Sequence, residues 1–117
     1  MNKKLAVGFI GTGSMGRPMI HELLKKGFTV TVFDKYKSAA ESVIAAGAIW
    51  ADTPKACAEG NPIVITCLPL PEDVLENMFG ATGAIEGMSA KSVWIDTSTT
   101  DYHNTLKIAE RAQSKGI

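Results

Sequence analysis

A chain of 117 residues with 12 basic and 12 acidic side chains carries no formal net charge, and with no Lys/Arg stripe along any helix it has no electrostatic grip for nucleic acid. That length suits one domain, able to bury roughly 65% of the surface its unfolded form exposes without disulfide or metal staples. No apolar run approaches the roughly 18 residues of a membrane helix, and Lys3-Lys4 before an apolar stretch is no secretion signal, because Gly8, Gly11, Gly13 and Gly16 interrupt it.

In chain order, Leu5 to Ile10 predicts a first strand and Gly11 to Gly16 a glycine-rich turn. A helix follows, with Met15, Met19, Leu23 and Leu24 on one face, Pro18 in its first turn and Gly27 at its stop. Val30 to Phe33 is a second strand, Ser38 to Ala46 a second helix ending at Gly47, and Ala48 to Trp50 a weaker strand. Thr53-Pro54 caps and opens a short helix over Lys55 to Glu59. Ile63 to Leu68 is the next strand, and Pro71 to Phe79 a helix with Glu72 and Asp73 at its positive end. Gly80 to Gly87 is loop, Val93 to Ile95 a fifth strand, and Asp101 to Lys115 a last helix with apolar positions at Leu106, Ile108 and Ala109. Most of the strands are continuously apolar, as in parallel sheets covered on both faces. Strand and helix alternate without repeat or linker, which implies an α/β fold with a doubly wound parallel sheet over residues 1–117.

Cys57 and Cys67 are too far apart for a metal knuckle or a redox pair and read as small core residues in a reducing compartment, so a cytoplasmic location is expected. His21 and His103 have no partner at ligand spacing and read as ordinary helix residues, and no metal site is expected. Trp50 and Trp94 read as packing residues.

The chemistry concentrates at Gly11-Thr12-Gly13-Ser14-Met15-Gly16, whose glycines stand in G-x-G-x-x-G spacing between a strand and a helix. The first glycine permits a tight turn, the second leaves room for a pyrophosphate and the third lets the helix pack on its strand. The orphan N–H groups of the helix start then face the anion. Asp34 ends the second strand, where a carboxylate hydrogen-bonds the adenosine ribose and repels a 2'-phosphate. NAD is therefore favoured over NADP, although Lys35 and Lys37 could pair with that phosphate if Asp34 turned away. The fourth and fifth strands end at Cys67-Leu68-Pro69 and at Asp96 to Thr100, which should border the same ligand. Leu68 and Pro69 either wall a ring or only stop a strand, and the Ser/Thr cluster either offers hydroxyls or only caps a helix.

Gly8 to Gly16 with Pro18, Met19 and Leu23 resembles the N-terminal signature of the β-hydroxyacid dehydrogenases, the family of 3-hydroxyisobutyrate and 6-phosphogluconate dehydrogenases. Thr66-Cys67-Leu68-Pro69 resembles that family's M-L-P segment and Asp96-Thr97-Ser98-Thr99 its D-x-S-T segment. The resemblance implies a Rossmann-type domain in which Gly11, Thr12, Gly13, Ser14, Met15 and Gly16 hold the pyrophosphate and Asp34 the ribose. Leu68 and Pro69 would border the cofactor and Thr99 would lie on the nicotinamide side. Asp73 stands where relatives can carry a cofactor-contacting Asn, and Tyr102 where they often have proline. The family's sixth strand, glycine-rich substrate segment and helical C-terminal domain with the catalytic lysine are absent, so no residue here is assigned to catalysis. The resemblance implies a homo-oligomeric oxidoreductase that passes a hydride between the cofactor and a short β-hydroxyacid or semialdehyde, with this piece binding cofactor without turnover. An NADP-dependent imine or semialdehyde reductase and a non-catalytic NAD(H)-sensing module are the alternatives. Without a sixth strand, Val93 to Ile95 becomes a bare edge that invites self-association.

Overall fold

Strand β1 (Ala6–Ile10) hydrogen-bonds in parallel to both β2 (Thr29–Phe33) and β4 (Ile63–Thr66), which places the first strand at the centre of the sheet. In the computed structural model, which describes residues 5–98 and 102–117, β3 (Ile49–Trp50) and β5 (Val93–Asp96) complete the order β3-β2-β1-β4-β5. All four pairings are parallel, so the doubly wound α/β sheet expected from the strand and helix alternation is the observed architecture. The direction of winding reverses between β1 and β4, the crevice where such sheets take ligands.

Successive strand residues point to opposite faces, and β1 shows the result. Phe9 packs with Ile20, Val30, Val32 and Val43 under α1 (Gly16–Lys25) and α2 (Glu41–Ala45). Ile10 packs on the other face with Cys57, Val64, Val74, Met78 and Ile108. Those residues come from β4 and from α3 (Pro54–Ala58), α4 (Pro71–Phe79) and α5 (Tyr102–Ser114). Both Phe9 and Ile10 are fully buried, each contributing about 1.5–3 kcal/mol of transfer free energy. Among the described residues no helix is long and apolar enough to cross a membrane.

Several sequence expectations are corrected here. Continuous burial holds only for β1, whereas β2 and β4 alternate between covered and half-covered residues. Neither helical layer spans the whole sheet, and the face that carries Phe9 is open over β5, where Val93 is 52% and Ile95 44% exposed. In α1 the buried residues are Gly16 and Ile20, while Met15 precedes the helix and is 73% exposed. The second helix splits into a 3-10 turn, Lys37–Ala40, and α2. The segment expected to be plain loop contains a buried 3-10 turn, Ala84–Glu86, which packs against α3. Among the side chains described in α5, the buried positions are Ile108 and Ala112, and Leu106 and Ala109 face outwards. β4 ends at Thr66, two residues before the expected stop. The cap at α3 is as expected, with the Ala56 N–H donating to Thr53 Oγ1 at 3.0 Å.

Trp50 stacks on Phe33 with ring centroids 5.8 Å apart, and Trp94 meets the ring of Phe79 edge-on at 6.0 Å, so both indoles serve packing. Both cysteines are free, Cys57 fully buried and Cys67 half-buried. Burial pushes the Cys57 thiol up to about 12. Its folded value lies above the unfolded one, so this thiol favours folding below about pH 8.5, and that contribution is lost as pH rises towards the folded value. At pH 8 an alkylating reagent is therefore expected to spare Cys57 in the native chain and label it in denaturant. Mass-spectrometric mapping checks this, and equal labelling in both states would contradict the burial.

Candidate cofactor-binding site

The strand ends form a level row. Ile10 pairs in register with Phe33 on one side and Thr66 on the other, and Thr66 pairs with Asp96. The next residues, Gly11, Asp34, Cys67 and Thr97, thus start four loops at the same height above the sheet.

The three fingerprint glycines have different reasons to be glycine. Gly11 has φ +106°, and a Cβ there would overlap the Cys67 carbonyl oxygen. A Cβ on Gly16 would overlap the Gly11 carbonyl oxygen. Both are demanded by the packing of loop, strand and helix. A Cβ on Gly13, in contrast, would meet no protein atom within 4 Å. Its bareness leaves room for something outside the chain. Beside it α1 begins without a side-chain cap and without an acidic residue in its first turn; the Arg17 N–H is spent on the Gly13 carbonyl at 2.9 Å and Pro18 has none, so the Gly16 N–H and those of the preceding loop are the ones that suit an anion. Beneath the loop, the Thr12 hydroxyl is buried with no partner among the described residues.

Asp34 ties the loop to β2. Its Oδ2 accepts the Thr12 N–H at 2.8 Å and its Oδ1 accepts the Tyr36 N–H at 2.9 Å. A carboxylate offers about four lone-pair sites, so acceptors remain for ligand hydroxyls. Two adjoining clefts share Gly13, Cys67, Leu68 and Pro69. The first, about 420 Å³, is walled by Asp34, Lys35, Tyr36 and Ala39 on one side and Asp73 and Asn77 on the other. The second, about 270 Å³, extends past Ser14, Met15 and Gly16 to Thr97 and Ser98. Leu68 and Pro69 therefore wall both clefts from the loop that follows β4, and Asp73 lines the first cleft. Thr99 lies outside the described residues.

Lys35 Nζ sits 5.7 Å from the Tyr36 ring centroid and Lys37 Nζ 5.6 Å from that of Trp50, so both ammonium groups rest over aromatic rings. Tyr36, Ala39 and Asn77 are cleft residues that sequence reasoning did not single out, whereas Cys67 stands in the strand end expected to border the ligand. Asn77 had a faint signal, standing four residues after Asp73 on one face of α4, where its side-chain amide donates to the Asp73 carbonyl at 2.7 Å.

The second cleft is laced by hydrogen bonds between the ends of β4 and β5. The buried Thr66 hydroxyl accepts the Trp94 indole N–H and donates to Asp96 Oδ1, both at 2.9 Å. The same Asp96 oxygen accepts the Ser98 N–H at 2.9 Å, and Ser98 Oγ accepts the Leu68 N–H at 2.7 Å. Thr97 donates its N–H and its hydroxyl to the Thr66 carbonyl at 2.8 and 2.9 Å.

An extended dinucleotide fits these residues. The bare Gly13 and the uncapped helix leave room and donors for a phosphate, and Asp34 keeps acceptors for hydroxyl groups. Comparison with known proteins agrees. Residues 6–117 match the model of the NAD binding domain of 6-phosphogluconate dehydrogenase. The chain is 38% identical over 117 residues to 2-(hydroxymethyl)glutarate dehydrogenase of Eubacterium barkeri, covering 100% of this chain and 39% of that protein. It is 37% identical over 111 residues to 3-hydroxyisobutyrate dehydrogenase of Pseudomonas aeruginosa, covering 95% and 37%. The solved 3-hydroxyisobutyrate dehydrogenase of Mycobacterium tuberculosis superposes with a TM-score of 0.89 at 27% identity, over 97% of this chain and 38% of that one. The chain thus spans about two fifths of the length of these relatives. It belongs to the family of the NAD binding domain of 6-phosphogluconate dehydrogenase.

Proposed function

We propose that this chain binds NAD in preference to NADP, extended across the ends of β2, β1, β4 and β5. In the whole protein it serves hydride transfer between the nicotinamide and a short β-hydroxyacid or the matching semialdehyde. The observation that carries the cofactor choice is Asp34, whose two oxygens are anchored by the Thr12 and Tyr36 N–H groups. A carboxylate fixed at the ribose end accepts from a 2'-hydroxyl and repels a 2'-phosphate. The substrate class is supported by relatives that are dehydrogenases of 3-hydroxyisobutyrate and 2-(hydroxymethyl)glutarate. The residues here supply the cofactor half. Glycine loop, Asp34, Leu68 and Pro69 hold and orient the dinucleotide, which supplies the hydride chemistry, and no residue of this chain is assigned to proton transfer. Two free cysteines suit a reducing, cytoplasmic setting.

Lys35 lines the adenosine cleft and is what favours the competing NADP reading. Titration calorimetry separates the two. The unmodified chain is expected to bind NAD more tightly than NADP, and Asp34→Ala to lose about 10- to 100-fold in NAD affinity, the weight of one charge-assisted hydrogen bond. Tighter NADP binding by the unmodified chain would overturn the assignment.

A further inference from the structure

The circuit between β4 and β5 has a direction. An indole N–H can only donate, and a threonine hydroxyl carries a single proton. Because Trp94 donates to Thr66 Oγ1, the Thr66 proton is left for Asp96. Asp96 Oδ1 is thereby fixed where it also receives the Ser98 N–H, and the Ser98 hydroxyl oxygen in turn receives the Leu68 N–H. Every member is separated from its cause by one hydrogen bond, and the last two, Ser98 and Leu68, wall the second cleft. Trp94 does not line that cleft, and its ring is held independently by its edge contact with Phe79. The indole nitrogen is thus separable from the indole as a packing body.

We propose that Trp94 is a positioning residue for the nicotinamide half of the cofactor, acting through Thr66 and Asp96 on the walls formed by Leu68-Pro69 and Thr97-Ser98. The proposal rests on NAD being the ligand. It assigns no contact between Trp94 and the cofactor. The adenosine half, held by Asp34 just after β2, lies two strands away and is not served by this circuit.

The test compares NAD with ADP, which shares the adenosine and pyrophosphate but lacks the nicotinamide riboside. Trp94→Phe keeps an aromatic ring against Phe79 and removes the N–H. NAD affinity is expected to fall about 3- to 10-fold, as for one lost hydrogen bond, with ADP affinity unchanged. Thr66→Val, which breaks the circuit at its centre, should show the same split, and Thr66→Ser, which keeps the hydroxyl, should restore NAD binding. These two variants decide the matter if Trp94→Phe does not fold. Equal loss of NAD and ADP, or loss of neither, overturns the positioning role while leaving the cofactor reading intact. Absence of binding of both ligands to the unmodified chain overturns the cofactor reading and the proposal with it.

Discussion

Gly13→Val is expected to abolish dinucleotide binding while leaving the melting temperature of the chain nearly unchanged. A Cβ at this position meets no protein atom within 4 Å, and the residue is not among those with positive φ. The fold thus has room for a Cβ here, and a valine is expected to project into the space shared by the two clefts. It would hold the pyrophosphate away from the Gly16 N–H and those of the preceding loop. Losing two charge-assisted hydrogen bonds at about 1.5–3 kcal/mol each corresponds to roughly 100-fold or more in affinity. Calorimetric titration with NAD beside a thermal melt reads both quantities. Retained affinity would show that the ligand does not pass over Gly13.

Gly11→Ala should fail in the opposite way, through the fold. At φ +106° an alanine is strained, and its Cβ would overlap the Cys67 carbonyl oxygen, a backbone atom that cannot rotate aside. Backbone strain of about 1–3 kcal/mol and overpacking of a similar size add to about 2–6 kcal/mol. That is a large share of the roughly 5–15 kcal/mol that holds a domain folded. A urea titration should show a midpoint well below that of the unmodified chain, whereas Gly13→Val should melt beside it. If the two glycines cost the same stability, the division between a packing glycine and a ligand glycine is wrong.

That division is legible in the fingerprint spacing, which assigns the second glycine to the phosphate and the first and third to turn and packing. Strand, glycine loop and helix are consecutive, and Asp34 follows the loop by one helix and one strand, so local pattern sufficed to find them. What the sequence leaves hidden is the atom that Gly11 meets, the carbonyl oxygen of Cys67, which arrives from the end of β4. The same limit explains the helix faces. Met15 was read into α1 because it continues the i, i+4 series, but the helix begins at Gly16, and the face turned to the sheet centres on Ile20. In α5 few apolar residues fix the phase, and only the position of β5 and α4 selects Ile108 and Ala112. The buried turn at Ala84–Glu86 was hidden by flanking glycines that read as loop. The Trp94-Thr66-Asp96 circuit joins side chains up to 30 residues apart and leaves no mark in any short window.

The level row of strand ends has one more consequence. Neighbouring strands are spaced by about 4.8 Å, and Asp34 beyond β2 is three strand intervals from Thr97 beyond β5. The sheet therefore works as a ruler of about 14 Å, graduated by register and not by any single side chain. A mononucleotide can engage one end of it and leaves the other unread. In the proposed binding mode two nucleosides joined by a linker that crosses Gly13 would span its length, so length itself would discriminate between a dinucleotide and a mononucleotide.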